Sequence, residues 1–323
     1  MKGLFVSVIM LMSFSVIMFS SCGSDKGNGG PDQNNDADGE NNTIRGKITI
    51  AALQENFGLA NQLASAYVSQ NNNVIIDVEA IDMNSVEESM QEGLYNIYFL
   101  NGLENPYPNL ESQVVASDVF VLCVNFNNPV LQKLVIRGLM PSKIREIYSS
   151  ASLIKWSDVV KTDDMTPVKP YFGPESGTAY SIIRSFIGIN QSPTASTALN
   201  EQDLYSSIVN NTGAIGFLSS VLAFDRSTLF RAKGLYILPV DFDENKIADD
   251  KELIYDDLNI LKKAVYNGGY PKGLIRSHYF VWNNDVQQKE IVNDFMNWVR
   301  ENSSAYLERN GYFSPVHDNG PQE

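Results

Sequence analysis

The chain is poor in the side chains on which most metal proteins and many enzymes depend. It contains two histidines, His278 and His317, and two cysteines, Cys22 and Cys123, in 323 residues. A zinc site or a Ser-His-Asp triad would have to rest on His278, because His317 lies in the C-terminal tail. A disulfide framework is excluded, because Cys22 belongs to an N-terminal motif and leaves Cys123 alone. We interpret Cys123 as a small buried apolar residue.

Several motifs of catalysis and cofactor binding are also missing. Residues 173–177 (GPESG) place their serine one position too late for a nucleophile elbow. The first predicted strand runs into Gln54-Glu55-Asn56 rather than a glycine-rich phosphate loop. Residues 241–251 (DFDENKIADDK) lack the spacing of a calcium loop, and we interpret them as a solvated acidic loop. We therefore predict that the protein is not an enzyme and has no metal or cofactor.

Positive charge is scarce as well. The formal net charge is -14, and lysine and arginine form no cluster along the chain. Nucleic acids and anionic lipid surfaces are bound by clustered basic side chains. The composition therefore excludes nucleic acid as a partner and indicates a globular body.

The N-terminus has the pattern of an export signal. Lys2 precedes an apolar run over residues 4–19, which is shorter than the roughly 20 residues of a membrane span. We predict a signal peptide over residues 1–21. Phe19-Ser20-Ser21-Cys22 resembles the bacterial lipobox, which implies lipidation of Cys22 and a protein anchored in the cell envelope. The alternative is an uncleaved anchor helix, and both place the body outside the cytoplasm.

Residues 22–43 are predicted to be a flexible linker. They contain no aliphatic or aromatic side chain larger than Ala37 before Thr43, so they cannot bury enough apolar surface to form a core. About twenty flexible residues span roughly 25 Å, which holds a folded body clear of a lipid surface.

The next segment alternates strands and helices. Strands are predicted over residues 47–53, 74–80 and 96–100, and helices over residues 57–68 and 86–90. This β-α-β-α-β order predicts an α/β fold with a parallel sheet, whose sites lie at the carboxyl ends of the strands. Residues 114–126 form a long extended run that is interrupted at Ser117-Asp118, as a strand crossing between two lobes requires.

The remaining elements are shorter. Helices are predicted over residues 129–134, 141–148, 156–160, 176–187, 291–299 and 305–307, and strands over residues 168–172, 213–218 and 279–282.

Ser176-Gly177-Thr178 is the strongest candidate for a binding motif. It follows a predicted strand and begins a predicted helix, so unpaired N–H groups and two hydroxyls converge before the helix. Helix N-termini of this kind bind anions. The alternative is that Ser176 is only an N-cap.

Seven segments, taken in order, resemble the phosphate-binding receptors of ABC importers. They are SDVFVLCVNFNNPV (117–130), IREIYSS (144–150), IKWSDV (154–159), PVKPYFGPESGT (167–178), GAIGFL (213–218), YPKGLIRSHYFV (270–281) and VNDFMNWVRENSSAYLERNGY (292–312). The resemblance covers about 200 residues.

The resemblance implies the two-lobed periplasmic-binding-protein-like fold of type II, in which each lobe is a mixed, mainly parallel sheet flanked by helices. It implies that ligand is clamped in the cleft by a hinge motion and delivered to an ABC permease in the membrane. We expect lobe one to combine residues 44–117 and 235–315, lobe two to span residues 118–233, and residues 316–323 to form a tail. We expect a monomer.

The chain departs from the family at the ligand. The family's hydroxyl-bearing first loop is replaced by residues 51–57 (AALQENF), its arginine by Phe172, and its Ser-Arg-like third loop by residues 101–104 (NGLE); Glu175 directly precedes Ser176. Losing an arginine removes a charge-assisted contact to phosphate. The residues left as candidate ligand contacts are Ser176, Gly177, Thr178, Gln54, Asn56, Asn101, Ser117 and Asp118. Asp118 matches a family aspartate, and the alternative is a solvated carboxylate at the hinge.

The ligand stays open between phosphate, a related oxyanion or small organic anion, and a neutral solute. A second class of function is a surface lipoprotein that keeps the fold but not transport, and binds an organic ligand or a protein partner. A closed, polar, empty cleft lined by Ser176 and Thr178 favours the receptor, and a filled or apolar cleft favours the interaction protein. An enzyme would need His278 to face the cleft beside a carboxylate.

Overall fold

The computed structural model describes residues 44–103, 107–189 and 195–316. The predicted signal peptide, the predicted lipidation site Cys22, the linker, Glu104 and the tail beyond residue 316, with His317, lie outside the described residues. Within these ranges, none of the helices combines the length and the apolar character needed to cross a membrane.

The first five elements alternate as predicted. They are β1 (Gly46–Leu53), α1 (Phe57–Gln70), β2 (Val74–Ile81), α2 (Met83–Gln91) and β3 (Ile97–Gly102). β1 pairs in parallel with β2 on one side and with β3 on the other. The buried face of α1, which includes Leu59, Leu63 and Tyr67, covers this sheet. The carboxyl ends of the three strands therefore open on one edge, where the first loop and α1 begin.

The remaining elements are β4 (Glu111–Asn125), α3 (Leu131–Arg137), α4 (Pro141–Ser149), α5 (Trp156–Val159), β5 (Lys169–Phe172), α6 (Thr178–Ile187), β6 (Ser196–Thr197), α7 (Glu201–Val209), β7 (Ala214–Ser219), α8 (Ser220–Ala223), β8 (Leu235–Ile237), α9 (Leu258–Tyr266), a 3-10 turn (Lys272–Leu274), β9 (Ile275–Trp282), α10 (Lys289–Asn302) and α11 (Ser304–Arg309). The sequence reading missed β6, α7, α8, β8 and α9. α6 begins at Thr178, two residues later than predicted, and ends at Gly188, whose φ of +73° favours glycine.

β4 is the predicted crossing strand. Its first part, as far as Val119, pairs antiparallel with β9, with a bulge between Val114 and Ala116. Its second part pairs antiparallel with β7 and β8. Within the described residues the strands follow one path, β2-β1-β3-β9-β4-β7-β5-β6, and β8 adds to β4. One continuous strand thus belongs to both halves of the structure.

Two large hydrophobic cores lie along this path. One packs around β1, β3, α1 and α10, with Phe99, Phe280 and Phe295 among its largest side chains. The other packs around the second part of β4, β5, β7 and α6. These cores and the shared strand correspond to the predicted two-lobed α/β fold.

Residues 235–274 pack with the second core rather than the first. Leu238, Tyr255 and Leu261 belong to the same cluster as Val121 and Leu218. The assignment of the chain to lobes stays a prediction, and these contacts favour moving its second boundary from residue 235 to about residue 275. The physical reason is that β8 pairs with β4 and the segment after it covers the same core.

The acidic segment 241–251 is exposed over residues 242–247 and 250–251, as expected for a solvated loop, but its first residue is buried. Asp241 is fully buried, and its carboxylate accepts hydrogen bonds from the N–H groups of Asn245 (3.1 Å) and Lys246 (2.8 Å). Glu252 is also buried and accepts a bond from the N–H of Phe242 at 2.7 Å. These carboxylates therefore organise the backbone of the loop, whereas charge pattern alone predicted full solvation.

Candidate functional site

A cleft of about 720 Å³ lies between the two cores. Its walls come from the loop after β1, the start of α2, the turn before α6, the start of α7, the β7–α8 junction, β9 and the segment after α11. Gln54 and Glu55 line it from the first core, and Thr178 and Glu201 from the second. The cleft therefore lies at the predicted position, at the carboxyl ends of the first strands and facing the Ser-Gly-Thr turn.

The N-terminus of α6 opens on the cleft. Residues 174–177 form a turn in which the N–H of Gly177 donates to the carbonyl oxygen of Pro174 at 2.9 Å. Gly177 is the N-cap, and no side chain caps this helix. The N–H of Tyr180 donates to the carbonyl oxygen of Gly177 at 3.2 Å, whereas Thr178 and Ala179 line the cleft and their first-turn N–H groups are donors without a partner inside the helix. The alternative in which Ser176 serves as the N-cap is wrong.

Beneath the cleft, Asp118 and Arg276 form a buried ion pair across β4 and β9. Arg276 Nε donates to Asp118 Oδ1 at 2.9 Å, and Nη2 donates to Oδ2 at 2.7 Å. The guanidinium also lies over the ring of Phe120, 4.7 Å from its centroid. Both residues are almost completely buried. The alternative of a solvated hinge carboxylate at Asp118 is therefore wrong, because the register of two paired strands encloses it.

The surroundings fix the charge of this pair. Burial by itself raises the pKa of Asp118, but Arg276 and His278 outweigh it and hold the pKa well below its usual value. Burial lowers the pKa of His278, although Asp118 acts in the opposite direction. At neutral pH Asp118 is therefore charged, and the imidazole adds no positive charge.

His278 is enclosed in a polar network. Its Nε2 lies 3.1 Å from Asp118 Oδ1, and its Nδ1 lies 2.8 Å from Asn56 Oδ1. Asn56 in turn donates to the carbonyl oxygen of Phe99 at 3.2 Å. The hydroxyl of Ser219, which lines the cleft, donates to Asp118 Oδ2. Asp118 thus stands between the serine and the histidine, which is not the Ser-His-Asp order of a nucleophilic triad.

A second network joins the two sides of the cleft. The hydroxyl of Thr178 donates to Asn101 Oδ1, and Asn101 Nδ2 donates to Glu55 Oε1 at 3.0 Å. Asn101 is at the end of β3, and Thr178 is the first residue of α6. This contact therefore ties the start of α6 to the opposite wall.

Two more carboxylates converge on Arg276. Glu201 Oε1 accepts a hydrogen bond from Arg276 Nη1 at 2.9 Å, and Glu55 Oε1 lies 4.0 Å from the same nitrogen. The side chains of Glu201 and Glu55 are 20% and 29% exposed, so both reach the cleft. Burial raises the pKa of Glu201, with Arg276 acting against it. Asn200 holds the start of α7 by accepting the N–H of Asp203 at 2.8 Å.

The structure divides the predicted site residues into two groups. Those that line the cleft are Gln54, Ser176, Gly177 and Thr178. Those that lie beneath its surface are Asn56, Asn101, Ser117 and Asp118. Ser117 pairs with Phe313, and its hydroxyl accepts the N–H of Val316 at 3.2 Å. Ser117 therefore holds the C-terminal segment in place. Contact with ligand stays a prediction at all eight positions of the two groups.

Sequence reasoning missed several residues of the cleft, which are Glu55, Gln62, Glu201, Ser219, Arg226, Arg276, Asn310 and Tyr312. Arg276 lies in residues 270–281, one of the segments that carry the resemblance. A charged arginine within an otherwise apolar predicted strand could have marked it as a candidate. Glu201 had no signal, because α7 was not predicted.

The structure shows where Phe172 and Arg184, on either side of the Ser-Gly-Thr turn, lie relative to the cleft. Phe172, which stands where the family has an arginine, is buried against Tyr148 and Tyr180 with ring centroids 4.8 and 5.2 Å away. Arg184 donates through Nη2 to the carbonyl oxygen of Ile189 at 3.4 Å, beyond the C-terminal end of α6, and does not line the cleft. Neither position supplies a cation to the cleft.

The fold matches that of solved phosphate receptors. An ABC-type phosphate transport receptor from Vibrio cholerae aligns with 83% of this chain and 100% of its own length, at a TM-score of 0.60 and 16% identity. A putative phosphate ABC transporter substrate-binding protein from Clostridium perfringens, solved with bound phosphate, aligns with 84% of this chain and 100% of its own length, at a TM-score of 0.61 and 14% identity. A possible phosphate-binding protein from Planctomyces limnophilus aligns with 84% of this chain and 93% of its own length, at a TM-score of 0.54 and 14% identity.

These likenesses confirm the fold that the resemblance implied, the two-lobed periplasmic-binding-protein-like fold of type II. At 14–16% identity they establish the fold alone. No protein-family model and no curated protein matches the sequence.

Proposed function

We propose that the protein is a solute-binding receptor that holds a small ligand in the cleft between its lobes and presents it to an ABC permease. The observation that carries this proposal is the cleft itself, an open cavity of about 720 Å³ with polar groups converging from both cores. Sites for small ligands are concave, partly apolar and equipped with a few oriented polar groups. The fold, shared with receptors of ABC importers, supports the same function.

The character of the cleft also distinguishes a receptor from the alternative, a surface lipoprotein that does not take part in transport. We expected a filled or apolar cleft for that alternative. Here the cleft is not filled by side chains, and Ser176, Thr178, Glu55, Glu201 and Arg276 place polar groups between stretches of apolar wall. This observation favours ligand binding over an interaction surface.

The receptor reading also implies that the protein is not an enzyme. His278 is fully buried and does not line the cleft, and Asp118 separates it from Ser219. A general base must come within hydrogen-bond reach of the proton that it removes. The imidazole is therefore placed to hold β9 against β4 rather than to act on a bound solute.

Phosphate or a related oxyanion is the ligand that the resemblance implies, and it is the reference ligand for the test. The N–H groups at the start of α6 support it. The experiment is isothermal titration of the purified protein with inorganic phosphate and with a panel of organic solutes. Saturable binding of any one of them, weakened by Thr178→Ala, supports the receptor. A folded protein that binds no member of the panel contradicts it.

We further propose that the receptor is held in the cell envelope by a lipid on Cys22 and faces the periplasm or the exterior. The lipobox-like Phe19-Ser20-Ser21-Cys22 and the apolar run that precedes it support this arrangement. Metabolic labelling with palmitate tests it. Label is expected on the native protein and on Cys123→Ala, whose cysteine is buried, and not on Cys22→Ala. Label that persists in Cys22→Ala contradicts the anchor.

A further inference from the structure

The charges in the cleft are the reverse of those that a phosphate site requires. Its lining includes three carboxylates, Glu55, Asp82 and Glu201, and two guanidinium groups, Arg226 and Arg276. Asp118 adds a fourth carboxylate directly beneath. The site as a whole therefore has an excess of two negative charges, and a dianion placed there is repelled.

Arg276 is not available to neutralise an anion. Its Nε and Nη2 are both used by Asp118, and its Nη1 is used by Glu201, with Glu55 close to the same nitrogen. Three of its five N–H groups donate to carboxylates and its side chain is only 2% exposed, so it offers an incoming phosphate little unpaired positive charge. Two of its partners still expose part of their carboxylates to the cleft.

Several other donors of the cleft are also committed, whereas the first N–H groups of α6 stay open to it. The hydroxyl of Thr178 donates to Asn101, and the N–H of Gly177 donates to Pro174. Arg226 donates to Asn310 Oδ1 at 3.3 Å, and Asn310 also exchanges hydrogen bonds with Gln62. That group forms a separate part of the wall, made of amides and one guanidinium.

The walls between these polar groups are apolar. This is a second observation about the ligand class, independent of the charges. Leucine, isoleucine, methionine and valine side chains at Leu53, Leu59, Ile81, Met83, Leu199, Val221 and Leu222 line the cleft. Leu199 is 85% exposed. A cavity of this size with apolar walls is typical of sites for organic molecules rather than inorganic ions. Apolar surface beside carboxylates fits a ligand that has both a hydrocarbon part and a positive charge.

We propose that the natural ligand is a small organic cation, an amine or guanidine, whose charged nitrogen is held by Glu55 and Glu201 while its hydrocarbon part lies against the apolar wall. This inference rests on the proposed receptor function and names the ligand class of the same cleft. The two carboxylates converge from opposite lobes, so one ammonium group between them draws the lobes together.

The test is isothermal titration at neutral pH of the full-length protein with putrescine, lysine, inorganic phosphate and glucose. The variants are Glu55→Gln and Glu201→Gln, which keep size and hydrogen bonding and remove one charge each. Glu301→Gln is the matched control, since Glu301 is exposed on α10 and does not line the cleft. Circular dichroism of each variant shows that it is folded.

The expected result is binding of putrescine or lysine that falls about 10-fold to 100-fold in each cleft variant and is unchanged in Glu301→Gln. Binding of phosphate or glucose alone overturns the inference and leaves the receptor function standing. Binding of an amine that is unaffected by both cleft variants overturns the assignment to Glu55 and Glu201. If none of the four compounds binds, the inference fails together with the small-solute function.

Discussion

Asp118 and Arg276 face each other across strands β4 and β9 and share two hydrogen bonds in a fully enclosed pair. The pair lies at the position where β4 leaves β9 and begins to pair with β7. It therefore fixes the floor of the cleft at the strand that both lobes share.

The first prediction concerns this pair. Asp118→Asn leaves the guanidinium of Arg276 buried with reduced compensation, and breaking a buried pair in this way costs about 3–5 kcal/mol. The double variant Asp118→Asn/Arg276→Met removes both charges, and we expect it to recover part of that loss. Urea unfolding measures both free energies. A loss below about 1 kcal/mol in the single variant, as for an exposed pair, contradicts the prediction.

The second prediction concerns pH and His278. Because burial lowers the folded-state pKa of His278, the unfolded chain binds this proton first, near pH 6.5. The contribution of His278 to stability is therefore complete above that pH and is lost as the pH falls towards the folded pKa, by at most about 1.4 kcal/mol per pH unit. We expect urea unfolding between pH 7 and pH 5 to show this slope. His278→Asn flattens it. Burial also raises the pKa of Glu201, which acts in the opposite direction, so the slope of the native protein is compared with that of His278→Asn. A native slope that is not steeper than that of the variant contradicts the prediction.

The third prediction separates Thr178 from Ser176. Thr178→Val removes the hydroxyl that donates to Asn101 and leaves a buried amide oxygen with one partner fewer. We expect a loss of about 1–3 kcal/mol in unfolding free energy. Ser176→Ala is the matched control, because Ser176 is exposed, and its effect is expected within about 0.5 kcal/mol. Equal effects of the two variants contradict the bridge between the cleft walls.

The fourth prediction concerns the glycine that begins the GAIGFL segment. A Cβ at Gly213 overlaps the carbonyl oxygen of Pro167 on the neighbouring segment, so Gly213→Ala must move backbone. Overpacking of this kind costs about 1–3 kcal/mol. Gly58→Ala is the control, since nothing lies near its Cβ, and we expect it to stabilise α1 by about 0.4–1 kcal/mol. Thermal unfolding compares the two, and a neutral Gly213→Ala contradicts the close approach.

The sequence was informative where local pattern and tertiary structure agree. Short runs rich in apolar residues determined β1, β2 and β3, and the long apolar run of residues 114–126 determined β4. The prediction failed for α7 and α9, although Asn200 and Asp257 cap their starts and the buried residues of α9, Leu258, Leu261 and Val265, follow a helical period. Missing α7 also meant missing Glu201.

The sequence by itself determined the α/β class, the crossing strand and the Ser-Gly-Thr turn before a helix, because each is encoded by periodicity or by residues close in the chain. The cleft beside that turn followed from the family resemblance. Only the tertiary structure decided the chemistry of that cleft. Asp118, Glu201, Arg276 and Glu55 are far apart in sequence, and their meeting depends on the register of β4 against β9 and on the docking of α7. Whether an arginine is free to bind an anion is a property of its neighbours in space.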